Sequence, residues 1–252
     1  MVKAAEKAAR SLNRDFGEVE QLQVSRKGPA DFVTAADKRA EQIIFDELKH
    51  ARPGYGFLME ERGEVKGTAD ARFIVDPLDG TTNFLHGIPQ WAISIALEEK
   101  GEVTAGVVYD PVKDELFHAV KGQGAFLRRK RLRVSGRGSM DMAIVATGAP
   151  RRALNNHEQF FSEQRAVWDT GASLRRLGAA ALDLVYVAAG RYEGFWERNL
   201  NQWDVAAGLL IVREAGGFVC DLDDDRNDPL QTGNVLAGNE AIFSALKKML
   251  KS

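Results

Sequence analysis

The chain has 252 residues, of which 44% are apolar and 28% are charged, and its formal net charge is −2. This charge does not favour a polyanion such as nucleic acid as the main partner. The single cysteine excludes a disulfide within the chain, and no apolar run approaches the roughly 20 residues that cross a bilayer. We therefore expect a soluble, cytoplasmic protein that binds neither nucleic acid nor membranes.

The first half of the sequence predicts two helices followed by a β-rich section. Ile43, Ile44 and Leu48 form the apolar stripe of the second helix, and Pro53 lies just beyond its end. Lys-Gly, Asp-Pro and Gly-x-Gly turns separate the strands that follow, and their spacing indicates an antiparallel meander. The helices are predicted over 2–15 and 36–50, and the strands over 56–59, 72–76, 91–98, 103–109, 114–120, 123–127 and 131–134.

After about residue 140, strands alternate with helices, which is typical of an α/β arrangement. Gly216 and Gly217 end the third helix of this part. We therefore predict an α+β protein with one domain over 1–252, made of an antiparallel β-rich half (1–138) and an α/β half (139–252). The strands of the second half are predicted over 143–147, 193–196, 217–220 and 234–237, and the helices over 155–166, 178–190, 203–215 and 239–250.

Two aspartates follow a strand that reads as buried. The apolar run 73–75 leads directly into Asp76, proline follows, and Asp79 comes three residues later. Such aspartates are costly unless a cation or hydrogen-bond donors satisfy them, and hard divalent cations prefer oxygen ligands with room for water and phosphate. Residues 80–82 (Gly-Thr-Thr) could expose successive backbone N–H groups to an anion. The alternative is an Asx-type turn in which Asp79 starts a tight corner.

Three further acidic segments have a functional and a structural interpretation. Glu60 and Glu61 follow a short apolar strand, so one of them faces inward by alternation, or both lie in an exposed turn. Asp204 opens an apolar helix, where it either caps the helix or joins an acidic site. Residues 31–37 lead into the second predicted helix, where Thr34 or Asp37 caps the helix, unless the segment contributes a site residue.

These segments together resemble the inositol monophosphatase family. They occur in the family's order and approximate spacing, and the resemblance covers nearly the whole chain. Each motif supplies the context that the others need. The matching motifs are Asp31-Phe-Val-Thr-Ala-Ala-Asp37, Glu60-Glu61, Asp76-Pro-Leu-Asp-Gly-Thr-Thr-Asn-Phe84 and Trp203-Asp-Val-Ala-Ala-Gly208, with further similarity over 106–111, 122–126 and 213–217.

The resemblance implies a layered α-β-α-β-α sandwich and a phosphatase that hydrolyses a phosphomonoester of a small polyol, foremost inositol 1-phosphate. It implies that the attacking water is activated by up to three Mg²⁺ ions, that lithium inhibits, and that the protein is a homodimer. The metal ligands carried over by the resemblance are Glu60, Asp76, the Leu78 carbonyl, Asp79 and Asp204.

The remaining site residues also come from the resemblance. Thr81 and Asp37 would orient and deprotonate the water. The resemblance implies that Glu60 is the third catalytic residue. Backbone N–H groups would hold the phosphate, and a second group of residues would line the sugar site. The phosphate residues are Gly80, Thr81 and Thr82, and the sugar-site residues are Gly178, Ala179, Ala180, Glu197 and Asp204.

Two positions depart from the family pattern. Met59 stands where glycine often precedes the glutamate pair, and methionine can fill a gap there without changing the charge. Ala179 stands where some members carry threonine, which removes a hydroxyl from the sugar pocket. Substrate preference is therefore less determined by the resemblance than the chemistry is.

The sequence leaves several other functions open beside this one. Fructose-1,6-bisphosphatase, 3′-phosphoadenosine 5′-phosphatase and histidinol-phosphatase are sister activities, of which the first is the hardest to separate. A regulatory protein that keeps the fold without catalysis is a distant alternative. A structural calcium protein is disfavoured, because no Asp-x-Asp-x-Asp-Gly loop with a twelfth-position glutamate occurs.

Overall fold

The computed structural model describes residues 1–16, 24–28, 31–149 and 157–250. Residues 24–28 and 31–34 are described by their backbone alone. Residues 155 and 156 of the predicted helix over 155–166 lie outside the described residues. The chain begins with helix α1, a two-stranded antiparallel pair and helix α2. Their bounds are α1 Val2–Phe16, β1 Val24–Gly28, β2 Asp31–Thr34 and α2 Ala35–Ala51.

Among the residues that the structure describes, the larger sheet has eight strands and contains the predicted meander. Its order is β10-β9-β8-β7-β6-β5-β3-β4, and every neighbouring pair is antiparallel except β3 with β5. A five-residue helix, α3, follows β5. The bounds are β3 Gly56–Met59, β4 Gly63–Val65, β5 Ala71–Asp79, α3 Thr81–Leu85, β6 Ala92–Glu99, β7 Glu102–Asp110, β8 Glu115–Val120, β9 Gly124–Leu127 and β10 Lys130–Arg131.

The smaller sheet, as far as the chain is described, has five strands in the order β12-β11-β13-β15-β14. β12, β11 and β13 run parallel, and β15 pairs antiparallel with β13 and β14. The bounds in this half are β11 Ile144–Thr147, α4 His157–Trp168, β12 Ser173–Arg175, α5 Ala180–Ala188, β13 Gly194–Glu197, α6 Gln202–Glu214, β14 Phe218–Asp221, α7 Pro229–Thr232, β15 Val235–Gly238 and α8 Glu240–Leu250.

Alternation along β5 explains the layering. Phe73 and Val75 belong to the apolar core under α1 and α2, whereas Ile74 belongs to the core around α5 and α6. That second core also contains Phe195 of β13 and Ala237 of β15, so α5 and α6 lie between the two sheets. A third core packs α4 and α8 against the outer face of the smaller sheet. The result is the expected α-β-α-β-α sandwich.

The long elements match their predictions, and the differences have local causes. Helix α5 is shorter than the predicted 178–190 because Gly178 and Gly190 both have a positive φ. The strand predicted over 131–134 ends at Arg131, since the Val134 N–H donates to the Ala215 carbonyl and not to a strand. β4, β12 and α7 were not predicted, because three or four residues are too few to carry a hydrophobic period.

None of the helices in the described ranges has the length and apolar character needed to span a bilayer.

Gly208 allows the close contact between α5 and α6. A Cβ at this position would lie 2.6 Å from Cδ1 and 2.7 Å from Cβ of Leu184, which is fully buried. We expect Gly208→Ala to lose about 1–2 kcal/mol of unfolding free energy, because overpacking outweighs the gain of about 1 kcal/mol in helix propensity. Chemical denaturation with urea measures this loss.

Gly136→Ala is the matched control, because a Cβ there meets nothing within 4 Å. Its unfolding free energy should stay within about 0.5 kcal/mol of the wild type. Equal unfolding free energies of the two variants would contradict the prediction, because they would show that α5 and α6 can move apart without loss of stability.

Candidate active site

The parallel strand pair of β3 and β5 in the larger sheet brings Glu60 beside Asp76. In this pair Met59 lies opposite Val75, and the Glu60 N–H donates to the Val75 carbonyl at 3.2 Å. Glu60 and Asp76 therefore follow at the same level on neighbouring strands. Asp76 is buried, and Glu60 is partly exposed.

A bulge at the end of β5 separates the two aspartates of the central motif. Asp76 pairs with Ser94 and Asp79 with Ala92, so two residues of β5 stand opposite one of β6. Pro77 has no N–H to continue the ladder, and the Leu78 N–H donates to Asp76 Oδ1 at 2.9 Å. The bulge turns the chain so that both carboxylates belong to one cleft.

Gly80 makes the turn from β5 into α3. Its φ is +94°, and a Cβ would lie 2.9 Å from the Gln90 carbonyl oxygen. Helix α3 begins at Thr81, and Thr82 is exposed. Glycine is required here by both the left-handed conformation and the close approach of the 90–91 backbone.

Asp37 and Thr81 meet across the cleft although 44 residues separate them. Thr81 Oγ1 lies 3.3 Å from Asp37 Oδ1 and 3.1 Å from the Leu78 carbonyl oxygen, so its single proton has two acceptors. Asp37 lies in the first turn of α2 and is fully buried. The structure thus brings together the predicted water-orienting pair and the carbonyl predicted as a metal ligand.

The N-termini of α5 and α6 both point acidic groups or N–H donors into the cleft. The Ala181 N–H at the start of α5 donates to Asp79 Oδ2 at 2.8 Å. Asp204 lies at the third position of α6, and its Oδ2 accepts from the Asn201 N–H at 2.7 Å. Asp204 therefore takes part in the capping box of α6, whose N-cap residue is Asn201, and its charge also acts on Asp76 and Asp79.

Like charges and burial raise the pKa of the two central aspartates. The pKa of Asp76 is raised well above its usual range, mainly by burial and then by the charges of Glu60, Asp79 and Asp204. The pKa of Asp79 is raised in the same way, by burial and then by Asp204, with smaller effects of Glu197 and Glu60. The Leu78 and Ala181 N–H groups act in the opposite direction.

The predicted sugar-site segments border the same cleft. Glu197 ends β13 next to Gly148, where a Cβ would lie only 1.7 Å from Glu197 Oε1. Asn83 Nδ2 of α3 donates to the carbonyls of Leu177 at 2.7 Å and Gly178 at 3.4 Å, which ties the 177–178 segment to the helix that follows Asp79 and Gly80. Ala179 and Ala180 are buried at the start of α5.

Sequence reasoning missed several residues that shape this site. Asp183 is 1% exposed, and its Oδ1 has no hydrogen-bond partner among the residues that the structure describes. Burial together with Glu197 and Asp79 raises the pKa of Asp183 well above the usual range. Its signal in the sequence is an acid within an otherwise apolar helix. Glu41 accepts a hydrogen bond from the Glu61 N–H at 2.8 Å and so stabilises the turn after Glu60. No motif in the sequence predicts this contact.

The donor set fits a hard divalent cation. The acids offer oxygen ligands, and their mutual repulsion is the kind that a cation relieves. Within the described ranges, no three acid, histidine or cysteine side chains are arranged to hold an ion by themselves. Magnesium does not need three, because it commonly binds one or two carboxylates and keeps water or phosphate oxygens in the other positions.

A cavity of about 280 Å³ elsewhere contains none of the predicted site residues. It lies beside β3, β4 and β5, and its cationic and anionic side chains are equal in number. We therefore base the candidate site on the acidic cleft. The charged residues of this cavity are Glu64, Lys66, Asp70, Arg72, Glu98 and Lys100.

Comparison with known proteins agrees with this fold. The solved structure of extragenic suppressor protein suhB from Bartonella henselae superposes with a TM-score of 0.96 at 56% identity, covering 100% of this chain and 97% of that one. The model of the inositol monophosphatase family matches residues 1–251. The chain belongs to the inositol monophosphatase family, a family of phosphatase enzymes.

Curated relatives carry two kinds of name. An inositol-1-monophosphatase of Mesorhizobium japonicum is 58% identical over 252 residues, which are 100% of this chain and 94% of that protein. The Nus factor SuhB of Escherichia coli is 44% identical over 246 residues, covering 97% of this chain and 92% of that protein.

Asp79→Asn should stabilise the metal-free protein at neutral pH. An aspartate whose folded pKa lies above its usual value of 3.8 lowers stability as the pH rises above that value, since the folded state then holds a proton that the unfolded state has lost. Asparagine removes this penalty and keeps an oxygen to accept from Ala181. We expect a rise in melting temperature of about 2–4 °C for each kcal/mol relieved.

Melting curves with a chelator between pH 4 and pH 8 measure the effect. The difference between variant and wild type should grow with pH and vanish near pH 4. Asp70→Asn, at an exposed position, is the control and should not change the melting temperature. A lower melting temperature of Asp79→Asn at every pH would contradict the repulsion argument.

Proposed function

We propose that the protein hydrolyses a phosphomonoester of a small polyol, foremost inositol 1-phosphate, in a Mg²⁺-dependent reaction. The observation that carries this proposal is the pair of aspartates on the β5 bulge, whose pKa values are raised by burial and by the charges of neighbouring carboxylates, Asp204 and Glu60 among them. A site that holds several anions together without a cation is costly. Family membership and the name of the Mesorhizobium relative support the substrate.

Up to three Mg²⁺ ions would be held by carboxylates around the bulge and by one main-chain oxygen. When bound, such ions neutralise phosphoryl oxygens, lower the pKa of a water molecule and stabilise a departing alkoxide. The approach of Glu60 to Asp76 and of Asp204 to Asp79 supports shared ligation. The proposed ligands are Glu60, Asp76, the Leu78 carbonyl, Asp79 and Asp204.

The chain's own residues would position the water and the phosphate. Asp37 accepts a hydrogen bond from Thr81 and would take the proton of the water through that hydroxyl, with Glu60 as the third catalytic residue. The backbone of residues 80–82 would hold the phosphate at the turn that Gly80 makes. Such catalysis consists mainly of positioning and electrostatic stabilisation.

Recognition of the polyol would depend on Glu197, Asp204 and the backbone of residues 178–180. Carboxylates accept hydrogen bonds from ring hydroxyls. The Asn83 bonds to Leu177 and Gly178 support a fixed position of that backbone relative to the phosphate. Ala179 offers no hydroxyl of its own, which fits a site that relies on carboxylates and carbonyls.

Phosphate release from myo-inositol 1-phosphate, with and without Mg²⁺, tests the proposal. We expect release that requires Mg²⁺, falls on addition of Li⁺, and drops by roughly a hundredfold or more in Asp79→Asn, because several kcal/mol of charge stabilisation is lost. Asp70→Asn serves as the matched control and should keep the wild-type rate.

Other substrates separate the sister activities. Faster Mg²⁺-dependent release from fructose 1,6-bisphosphate or from a nucleotide phosphate would support the proposed phosphatase reaction but assign it a different substrate. No release from any ester by folded, Mg²⁺-loaded protein would contradict the proposed function.

A regulatory role is the second candidate, because the relative from Escherichia coli at 44% identity is named a Nus factor. A nucleic-acid-linked partner would then have to be added to the small-molecule substrate. Replacement of the chromosomal copy by Asp79→Asn distinguishes the two roles. A phenotype of the deletion strain that the inactive variant fully rescues would favour regulation over catalysis.

We also propose a cytoplasmic homodimer in which the whole chain forms one domain. Phe161 and Trp168 support the dimer, because they are seven residues apart on α4 and are 62% and 66% exposed. Residues at this spacing lie on one helix face, and exposed apolar patches mark interfaces. The lone Cys220 is compatible with a reducing compartment.

Light scattering after size-exclusion chromatography tests the dimer. The wild type should elute at twice the chain mass of 27.7 kDa, and Trp168→Glu should shift it toward the monomer, since a buried charge destabilises an interface. Val120→Glu, at another exposed apolar position, is the control and should remain dimeric. A monomeric wild type would contradict the proposal.

A further inference from the structure

Glu163 of α4 makes an unusually dense set of contacts for a glutamate outside the acidic cleft. It is 7% exposed. Its Oε1 accepts from Arg198 Nη2 at 2.7 Å and from Arg198 Nε at 3.1 Å, and its Oε2 accepts from Trp196 Nε1 at 3.1 Å. Gln159, one turn earlier on α4, donates to Oε1 at 3.0 Å.

The two residues that Glu163 binds are the immediate neighbours of Glu197. Trp196 is fully buried in the outer core, and Arg198 also pairs with Asp223. Neighbouring side chains on a strand point to opposite faces. Trp196 faces the outer core, so alternation places Glu197, the last residue of β13, on the opposite face of the sheet. The contacts from α4 to Trp196 and Arg198 fix the chain immediately before and after Glu197.

The Glu197 carboxylate is confined on its other side. Gly148 approaches it so closely that a Cβ would fall within 1.7 Å of Oε1 and 1.9 Å of Cδ. A narrow cavity of about 10 Å³ is lined by both Glu163 and Glu197, and this volume has room for roughly one water molecule. The position of Glu197 is thus defined by contacts on both sides of β13.

We propose that Glu163 is a positioning residue for Glu197 and thereby determines how the enzyme recognises a hydroxyl of the polyol. This inference rests on the proposed function, in which Glu197 binds that hydroxyl. Charge-assisted hydrogen bonds to a planar guanidinium fix geometry as well as energy, and a recognition group that moves by about 1 Å loses much of its effect. A purely structural role of Glu163 would only attach α4 to the smaller sheet.

Two variants test this without depending on one that fails to fold. Glu163→Gln keeps one acceptor oxygen, so it should retain part of the hydrogen bonding to Trp196 and Arg198. The double variant Glu163→Met with Arg198→Met replaces the buried ion pair by apolar side chains, a change that proteins often tolerate. Glu158→Ala, at an exposed position of the same helix, is the control. Thermal melting verifies that each protein is folded.

Two substrates separate positioning from general damage. We expect the KM for myo-inositol 1-phosphate to rise about tenfold in the double variant, the size of one lost charge-assisted hydrogen bond, and less in Glu163→Gln. The kcat should change little, and kcat/KM for an aryl phosphate without ring hydroxyls should be unchanged. Parallel losses with both substrates, or no change with either, would overturn the proposal.

Two further measurements keep this inference distinct from the proposed function. Glu197→Gln should raise the same KM, and adding it to the double variant should cause little further change, because both act on one interaction. Crystal structures of the wild type and the double variant give a readout without turnover. Displacement of the Glu197 carboxylate from Gly148 supports the positioning role even if no ester is hydrolysed, and an unmoved carboxylate refutes it.

Discussion

The repulsion between carboxylates in one partly buried cleft is the constraint on which the surrounding structure depends. Asp76 and Asp79 would separate if they were free to do so, since burial and neighbouring charge both oppose their ionised forms. The bulge, the proline within it and the glycine that ends it leave the chain no such freedom. Helix α5 contributes an N–H donor to Asp79, and α6 contributes another acid. The carboxylates lower the stability of this part of the protein, and the apolar cores on both sides of the larger sheet offset that loss.

The sequence predicts those parts of the fold whose pattern repeats over many residues. The meander, the long helices and the acid-bearing end of β5 follow from alternation, helical stripes and turn residues. The order of strands in the smaller sheet does not follow, because pairing of β11 with both β12 and β13 joins segments that no short pattern relates. Short elements such as β4 and α7 exist because their neighbours hold them in place, so their own residues carry little signal.

The same division applies to the site. Asp76 and Asp79 lie in the most specific motif of the sequence, whereas the motif of Asp204 gains its meaning only beside that one. The structure brings the three carboxylates into one cleft. Asp183, Gly148 and Glu163 were not found from the sequence. Their importance arises from contacts across 35 or more residues, such as Glu163 with Arg198 or Asn83 with Leu177. A glycine or a glutamate has no distinctive neighbours in such cases, and only the folded chain reveals what it touches.

Asp204 has two tasks, and this has a thermodynamic consequence. Its carboxylate closes the first turn of α6 through the Asn201 N–H, and α6 is the helix that lies between the two sheets. Any ligand that binds this carboxylate acts on the end of a helix on which both sheets pack. Ligand binding in the cleft and cooperative unfolding of the whole sandwich are therefore linked equilibria. The free concentration of the ligand then changes the free energy of unfolding of the whole protein.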